Sequence, residues 1–233
     1  EIVQSKEEVI RGVVETVKAN QFAQGFVKIV GLFSGETFSI TVSDPRLELT
    51  IFAVPTEEYK KESPSAISVC ISRWRKLHPE TVPVEAKVAA NYLNGMLARQ
   101  DAQRRGFDLG IMLDTHGFLA ESSIESVFIA KDGALITSPL GLILSSITRR
   151  SILEAAPAAG IRTMERRIRQ EEILAADEIF TASTSRRIAP ACRIEDRTLG
   201  EAPGFVTRQV AALMESILAG RDERFRSWLY PVR

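Results

Sequence analysis

The stretch 109-LGIMLDTHGFLAESSIESVFIAKDGALITS-138 decides how this chain folds. Its apolar residues come in short blocks rich in Ile, Val, Leu and Phe, each closed by turn-forming residues. Blocks 109–114, 118–121, 125–130 and 134–138 read as strands. Thr115-His116-Gly117 and Lys131-Asp132-Gly133 read as turns, and the Asp-Gly step favours a tight hairpin. The blocks are too short for helices and too closely spaced for crossover connections. A β-meander therefore lies at the centre of the chain.

Helical patterns flank the meander. Upstream, 83-PVEAKVAANYLNGMLARQDAQRRG-106 ends in a helix from about Asn91 to Arg105, closed by Gly106. Leu93, Met96 and Leu97 are its expected buried face. Downstream, a helix runs from about 147 to 159 behind the capping serines Ser145 and Ser146 and stops at Gly160. A strand (161–168), a short helix (170–175), a strand ending at Thr181, a strand near 188–194 and a last helix (about 204–219) follow.

The N-terminal part has its own pattern. Ser5 with Glu8 forms a capping box, and Val9, Ile10, Val13, Val14 and Val17 recur at helical spacing, which predicts a helix over 6–19. Residues 25–35, 47–55 and 66–74 read as strands. Residues 75–83, with two prolines, read as a linker. The fold class is α+β, mixed α and β, with a division into 1–80 and 81–233. Glu1 in place of a methionine suggests that the natural N-terminus lies upstream.

Composition narrows the functional classes. The 233 residues are 45% hydrophobic and 26% charged, and 30 basic side chains balance 30 acidic ones. There is no basic excess to attract nucleic acid or anionic lipid. Two distant cysteines, Cys70 and Cys192, read as free thiols of a reducing compartment. His78 and His116 form no metal-ligand cluster, so no metal is expected. No apolar run spans a membrane and no signal peptide opens the chain, so the expected location is cytoplasmic.

Several residues stand out chemically. Lysines lie mostly on solvated faces, but Lys87 is set among Val84, Ala86, Val88, Ala89 and Ala90, with Glu85 its one charged neighbour. An amine in a partly dry pocket loses its proton more easily and becomes a nucleophile. Tyr92 follows within reach. Glu121 interrupts an apolar strand; it is either a solvated strand end or a buried carboxylate that needs a cationic partner. The stretch 144-LSSITRRS-151 opens a helix whose free N–H groups suit an anion, and 181-TASTSRR-187 is a hydroxyl-rich turn. An amine, a phenol, a lone carboxylate and two anion cradles together fit pyridoxal 5′-phosphate.

In 87-KVAANYLN-94, 113-LDTHGFLAESSIESVFIAKDGAL-135, 144-LSSITR-149, 177-DEIFTAST-184 and Ala189-Pro190, the chain resembles the branched-chain aminotransferase family, the fold-type IV pyridoxal-phosphate enzymes. The likeness runs from about Ser5 to the C-terminus. It implies a small α/β domain, whose N-terminal part is absent here, and a larger β-barrel-like domain flanked by helices. It implies that Lys87 carries the cofactor covalently and is the catalytic base. By the same resemblance Tyr92 bonds the ring hydroxyl, Glu121 pairs with the ring nitrogen and Leu144 packs on the ring. Ile147, Thr148 and Thr184 bind phosphate, and the Thr184-Ser185 turn meets the substrate carboxylate through backbone N–H groups. An upstream segment is implied to supply a phosphate-binding arginine.

Amino acids and 2-oxo acids are the implied small-molecule partners, in a ping-pong transamination by a homodimer. Nucleic acid and membrane are not expected partners. A 4-amino-4-deoxychorismate lyase, a D-amino-acid or amine transaminase, and a non-catalytic homologue remain alternatives. The chain departs from the family pattern at Ser122, Ile124 and Ser126, and again at Arg186-Arg187. Those two arginines either face solvent or favour an acidic substrate.

Overall fold

The computed structural model describes residues 2–21, 23–33, 35, 46–56 and 65–232. The chain divides into two compact units, Glu1–Ser63 with Tyr230–Arg233, and Pro64–Leu229.

In the first unit, α1 (Lys6–Asn20) starts at the expected capping box. The Ser5 side chain accepts from the Glu8 N–H, and Glu8 accepts from the Ser5 N–H. Strands β1 (Gly25–Leu32) and β2 (Glu48–Pro55) pair antiparallel. Ser34, in the strand expected over 25–35, lies outside the described residues.

The second unit is built on β3 (Ile67–Ile71), α2 (Tyr92–Arg104), β4 (Leu109–Leu113), β5 (Leu119–Ser122), β6 (Ser126–Lys131) and β7 (Ala134–Thr137). After these come α3 (Ile147–Ala155), β8 (Arg162–Glu165), α4 (Gln170–Leu174), β9 (Glu178–Ser183), β10 (Arg187–Ile194), β11 (Arg197–Thr198) and α5 (Phe205–Leu218). The strands form one nine-stranded sheet in the order β5-β4-β3-β10-β9-β6-β7-β8, with β11 on β10.

That order forces curvature. Strands β5 and β6 stand five places apart, about 24 Å in a flat sheet. Yet only Ser123, Ile124 and Glu125 separate them, a link whose four residue steps reach at most about 14 Å. The sheet therefore curls back toward its own edge as a half-barrel, and the barrel-like expectation is borne out. The link is closed by the Ser122 N–H, which donates to the Glu125 carbonyl.

Alternation along the strands separates two cores. Val127 and Ile129 of β6 point with Ile67, Val69, Leu109 and Ile111 into the barrel. Phe128 and Ala130 point outward with Phe180, Leu135 and Ile152, under Val206, Val210, Met214 and Ile217 of α5. Phe128 and Phe180, partners across β6 and β9, stack with ring centroids 4.9 Å apart. The Asp132-Gly133 turn forms as read, with both residues at positive φ.

One expectation fails. Leu93 and Met96 do not form the buried face of α2; they are 63% and 56% exposed. The helix instead buries Asn94, Gly95, Ala98, Asp101 and Ala102. Backbone proximity is the reason. A Cβ on Gly110 of β4 would lie 2.7 Å from the Ala98 carbonyl oxygen, so small residues must occupy this contact.

Candidate active site

An open cleft of about 660 Å³ sits at the edge of the half-barrel, wholly within the second unit. Four parts of the chain line it. The irregular segment before α2 brings Val84, Lys87 and Val88, with Asn91 and Tyr92 at the helix start. The strand β5 and the β5–β6 link bring Glu121, Ser123, Ile124 and Glu125. Leu144 and Ser146 come from the approach to α3, and Ser183 and Thr184 from the end of β9.

Lys87 reaches this cleft, but not in the dry setting expected. Its segment is anchored by buried Val84, while Val88, Ala89 and Ala90 are exposed along with Lys87 itself. A run of small apolar residues does not bury its centre when only one of them inserts into the core. The Lys87 ammonium lies 5.4 Å from the centroid of the Tyr92 ring and makes no ion pair among the described residues.

Glu121 is buried, which settles the choice left open by its sequence. Its cationic partner is Lys76, from the segment read as a linker. Lys76 Nζ donates to Glu121 Oε1, and each side chain is only 9% exposed. Glu121 Oε2 accepts from the Leu144 N–H at 3.3 Å. Lys76 is a residue that sequence reasoning missed. A lysine in an aperiodic, proline-flanked segment carries no signal of burial; only the three-dimensional path reveals it.

A second carboxylate, Glu125, was also missed. Its Oε2 accepts from Thr181 Oγ1, and its Oε1 lies 3.7 Å from Arg186 Nε. Arg186 thus turns onto Glu125, with its Nη1 buried and without a hydrogen bond, and it does not line the cleft. Arg187 is exposed, at φ 59, where β10 begins.

The remaining expected residues divide. Leu144 and Thr184 line the cleft; Ile147, Thr148 and Ser185 do not. Ile147, 71% exposed, is the first residue of α3. Ser146 caps this helix by accepting from the Arg149 N–H, which leaves the N–H groups of Ile147 and Thr148 facing outward as in any first turn.

The cleft thus holds one free amine, a phenol, a carboxylate with one lightly used oxygen, and hydroxyls at its far end. Ser123 Oγ in its wall is buried without a hydrogen-bond partner among the described residues. These donors fit a flat, anionic, aldehyde-bearing cofactor such as pyridoxal phosphate.

Comparison with known proteins agrees. The family model for class IV amino-transferases matches residues 2–194. The branched-chain-amino-acid aminotransferase of Salmonella typhimurium is 29% identical over 99% of this chain and 76% of its own length. A branched-chain aminotransferase of Thermoproteus uzoniensis, solved with norvaline, superposes with a TM-score of 0.92 at 33% identity over 100% of this chain and 78% of its own. The enzyme from Thermobaculum terrenum, solved in its pyridoxal-phosphate form, gives 0.92 at 30% identity over 98% and 76%.

The chain belongs to the class IV amino-transferase family. Within it, the resemblance to fold-type IV branched-chain aminotransferases is borne out: this is a pyridoxal-phosphate-dependent transaminase.

Proposed function

We propose that this enzyme moves the amino group of a branched-chain L-amino acid to 2-oxoglutarate in ping-pong fashion. The observation that carries the reading is the placement of Lys87 and Glu121 on one cleft. Of the two lysines there, Lys76 is committed to Glu121, so Lys87 is the available amine.

Bound pyridoxal phosphate supplies an aldehyde that condenses with amines and a ring that accepts the electrons left when a Cα–H bond breaks. Lys87 Nζ would be the amine that holds the cofactor aldehyde in the resting enzyme. The same amine, once free, would serve as general base and acid for the Cα proton of the amino acid. Glu121 would accept from the protonated ring nitrogen and favour that charged form. Tyr92 would donate to the ring hydroxyl and Leu144 would pack on the ring. Thr184, with the first N–H groups of α3 at Ile147 and Thr148, would bind the phosphate. The Thr184-Ser185 turn receives the substrate carboxylate through N–H groups. Val84, Val88 and Ile124 make part of the cleft wall apolar, which suits an aliphatic side chain.

That the residues which would hold the cofactor lie within 81–233 belongs to the same proposal. So does homodimerisation: Leu93 and Met96 of α2, exposed beside the cleft residue Tyr92, offer an apolar contact surface. A cytoplasmic location is proposed from the two free thiols. Among the described residues, no helix is long and apolar enough to cross a membrane.

Incubation with leucine, 2-oxoglutarate and pyridoxal phosphate tests the activity. Glutamate formation supports it; pyruvate released from aminodeoxychorismate, without glutamate formation, would assign a lyase instead.

A further inference from the structure

The cleft wall contains a cation that the proposed chemistry does not use. Lys76 makes no contact with Lys87 or Tyr92 among those described, yet its ammonium is buried against the very carboxylate assigned to the cofactor ring. Breaking such a pair by removing one partner leaves an uncompensated buried charge, whereas a pair replaced by apolar residues is often no less stable. A buried ion pair kept in a binding cleft therefore calls for a reason besides stability.

The backbone around Lys76 is held from several sides. Its N–H donates to the Leu113 carbonyl at 2.9 Å. Asn94 of α2 clamps both neighbours: its Nδ2 donates to the Arg75 carbonyl at 2.9 Å, and its Oδ1 accepts from the Leu77 N–H at 3.2 Å. Asn94 is itself buried. Lys76 thus projects from a fixed point. The other cleft carboxylate, Glu125, has its own partners in Thr181 and Arg186, so the two acids do not compete for one cation.

We infer that Lys76 is a positioning residue. It occupies Oε1 and fixes the carboxylate's orientation, so that Oε2, held among the described residues by the Leu144 N–H alone, is the oxygen left for a ring nitrogen. Without the ammonium, the buried carboxylate loses the partner that holds Oε1 and its charge stands uncompensated, so it no longer presents Oε2 to a pyridinium N–H in one orientation. The inference rests on the assignment of the cofactor to this cleft.

The test is a mutant cycle read by cofactor affinity and by unfolding. Pyridoxal phosphate is titrated into the cofactor-free full chain and followed by absorbance, in wild type, K76M, K76R, E121Q and K76M/E121Q. The account expects K76M to bind about tenfold more weakly and K76R, which keeps charge and donor, to stay within about threefold of wild type. It expects K76M/E121Q to match E121Q, because Lys76 acts through Glu121. It also expects K76M to shift the absorbance maximum of the bound cofactor in the same direction as E121Q. Without cofactor, K76M alone should lower the unfolding temperature, and K76M/E121Q should recover it.

Wild-type affinity in K76M would overturn the inference, as would an equal loss from K76M in the wild-type and E121Q backgrounds. Either result leaves the cofactor assignment standing. Failure of the wild type to bind pyridoxal phosphate would overturn that assignment and this inference together.

Discussion

Gly95 of α2 faces the carbonyl oxygen of Ser123 so closely that a β-carbon there would lie 1.9 Å from it. This contact fixes the helix that begins at Tyr92 against the link that follows Glu121, and so holds two walls of the cleft at a set distance. Any side chain larger than hydrogen must push backbone against backbone. Gly95→Ala should cost roughly 2–3 kcal/mol in denaturant unfolding and weaken cofactor binding as well. The exposed Gln100→Ala on the same helix should change stability by less than about 0.5 kcal/mol. Equal effects at the two positions would mean that the close approach does not matter.

Glu178 of β9 caps the last helix from a distance in sequence. Its two carboxylate oxygens accept from the Val206 and Thr207 N–H groups at 2.9 and 2.8 Å. The cap Gly204 has no side chain of its own to do this, and a Cβ there would lie 2.2 Å from the Glu178 carboxyl carbon. Glu178→Ala should therefore destabilise the chain by about 1–2 kcal/mol, seen as a lowered urea midpoint at unchanged slope.

Asp177 sets a pH-dependent contact at the β6–β7 turn. The Lys131 ammonium, and then the Asp132 N–H, hold its carboxyl below the ordinary 3.8. Because the folded value is lowered, the contribution is present above the unfolded value and lost as pH falls through the folded one. Asp177→Asn should lower the melting temperature slightly at pH 7, by an amount that shrinks as pH falls below 3.8. A difference that persists in acid would contradict this.

Cys70 lies fully buried on β3, where burial pushes its thiol up to about 11. At pH 8 it should resist a disulfide-exchange reagent in the native chain and react promptly once the chain is unfolded. Mass spectrometry of peptides labelled before and after denaturation separates it from Cys192.

Much of the architecture was legible in the residues. The short apolar blocks of 109–138 gave strands β4 to β7 and the hairpins β4–β5 and β6–β7, and the Ser5–Glu8 box gave the first helix its start; the continuous meander expected there does not form, because β5 and β6 stand five places apart in the sheet. What stayed hidden depends on non-local geometry. Leu93 and Met96 carry the apolar spacing of a core face, yet the sheet approaches α2 too closely to admit them, and Gly95 and Ala98 took their place. Lys76 could not be read as a cleft residue, because nothing in 75–83 indicates that Asn94 pins it beside Glu121. Arg186 looked available for a substrate acid and instead turns onto Glu125.

The central claim is that the Lys87 amine, opposite Glu121 in one cleft, takes up the cofactor aldehyde. Borohydride reduction of the chain loaded with pyridoxal phosphate, followed by peptide mapping, tests it most directly. The account predicts a pyridoxyl group on the peptide containing Lys87 and none in the Lys87→Ala variant. A pyridoxyl group found chiefly on Lys76, or scattered over surface lysines to the same extent in wild type and variant, would contradict it.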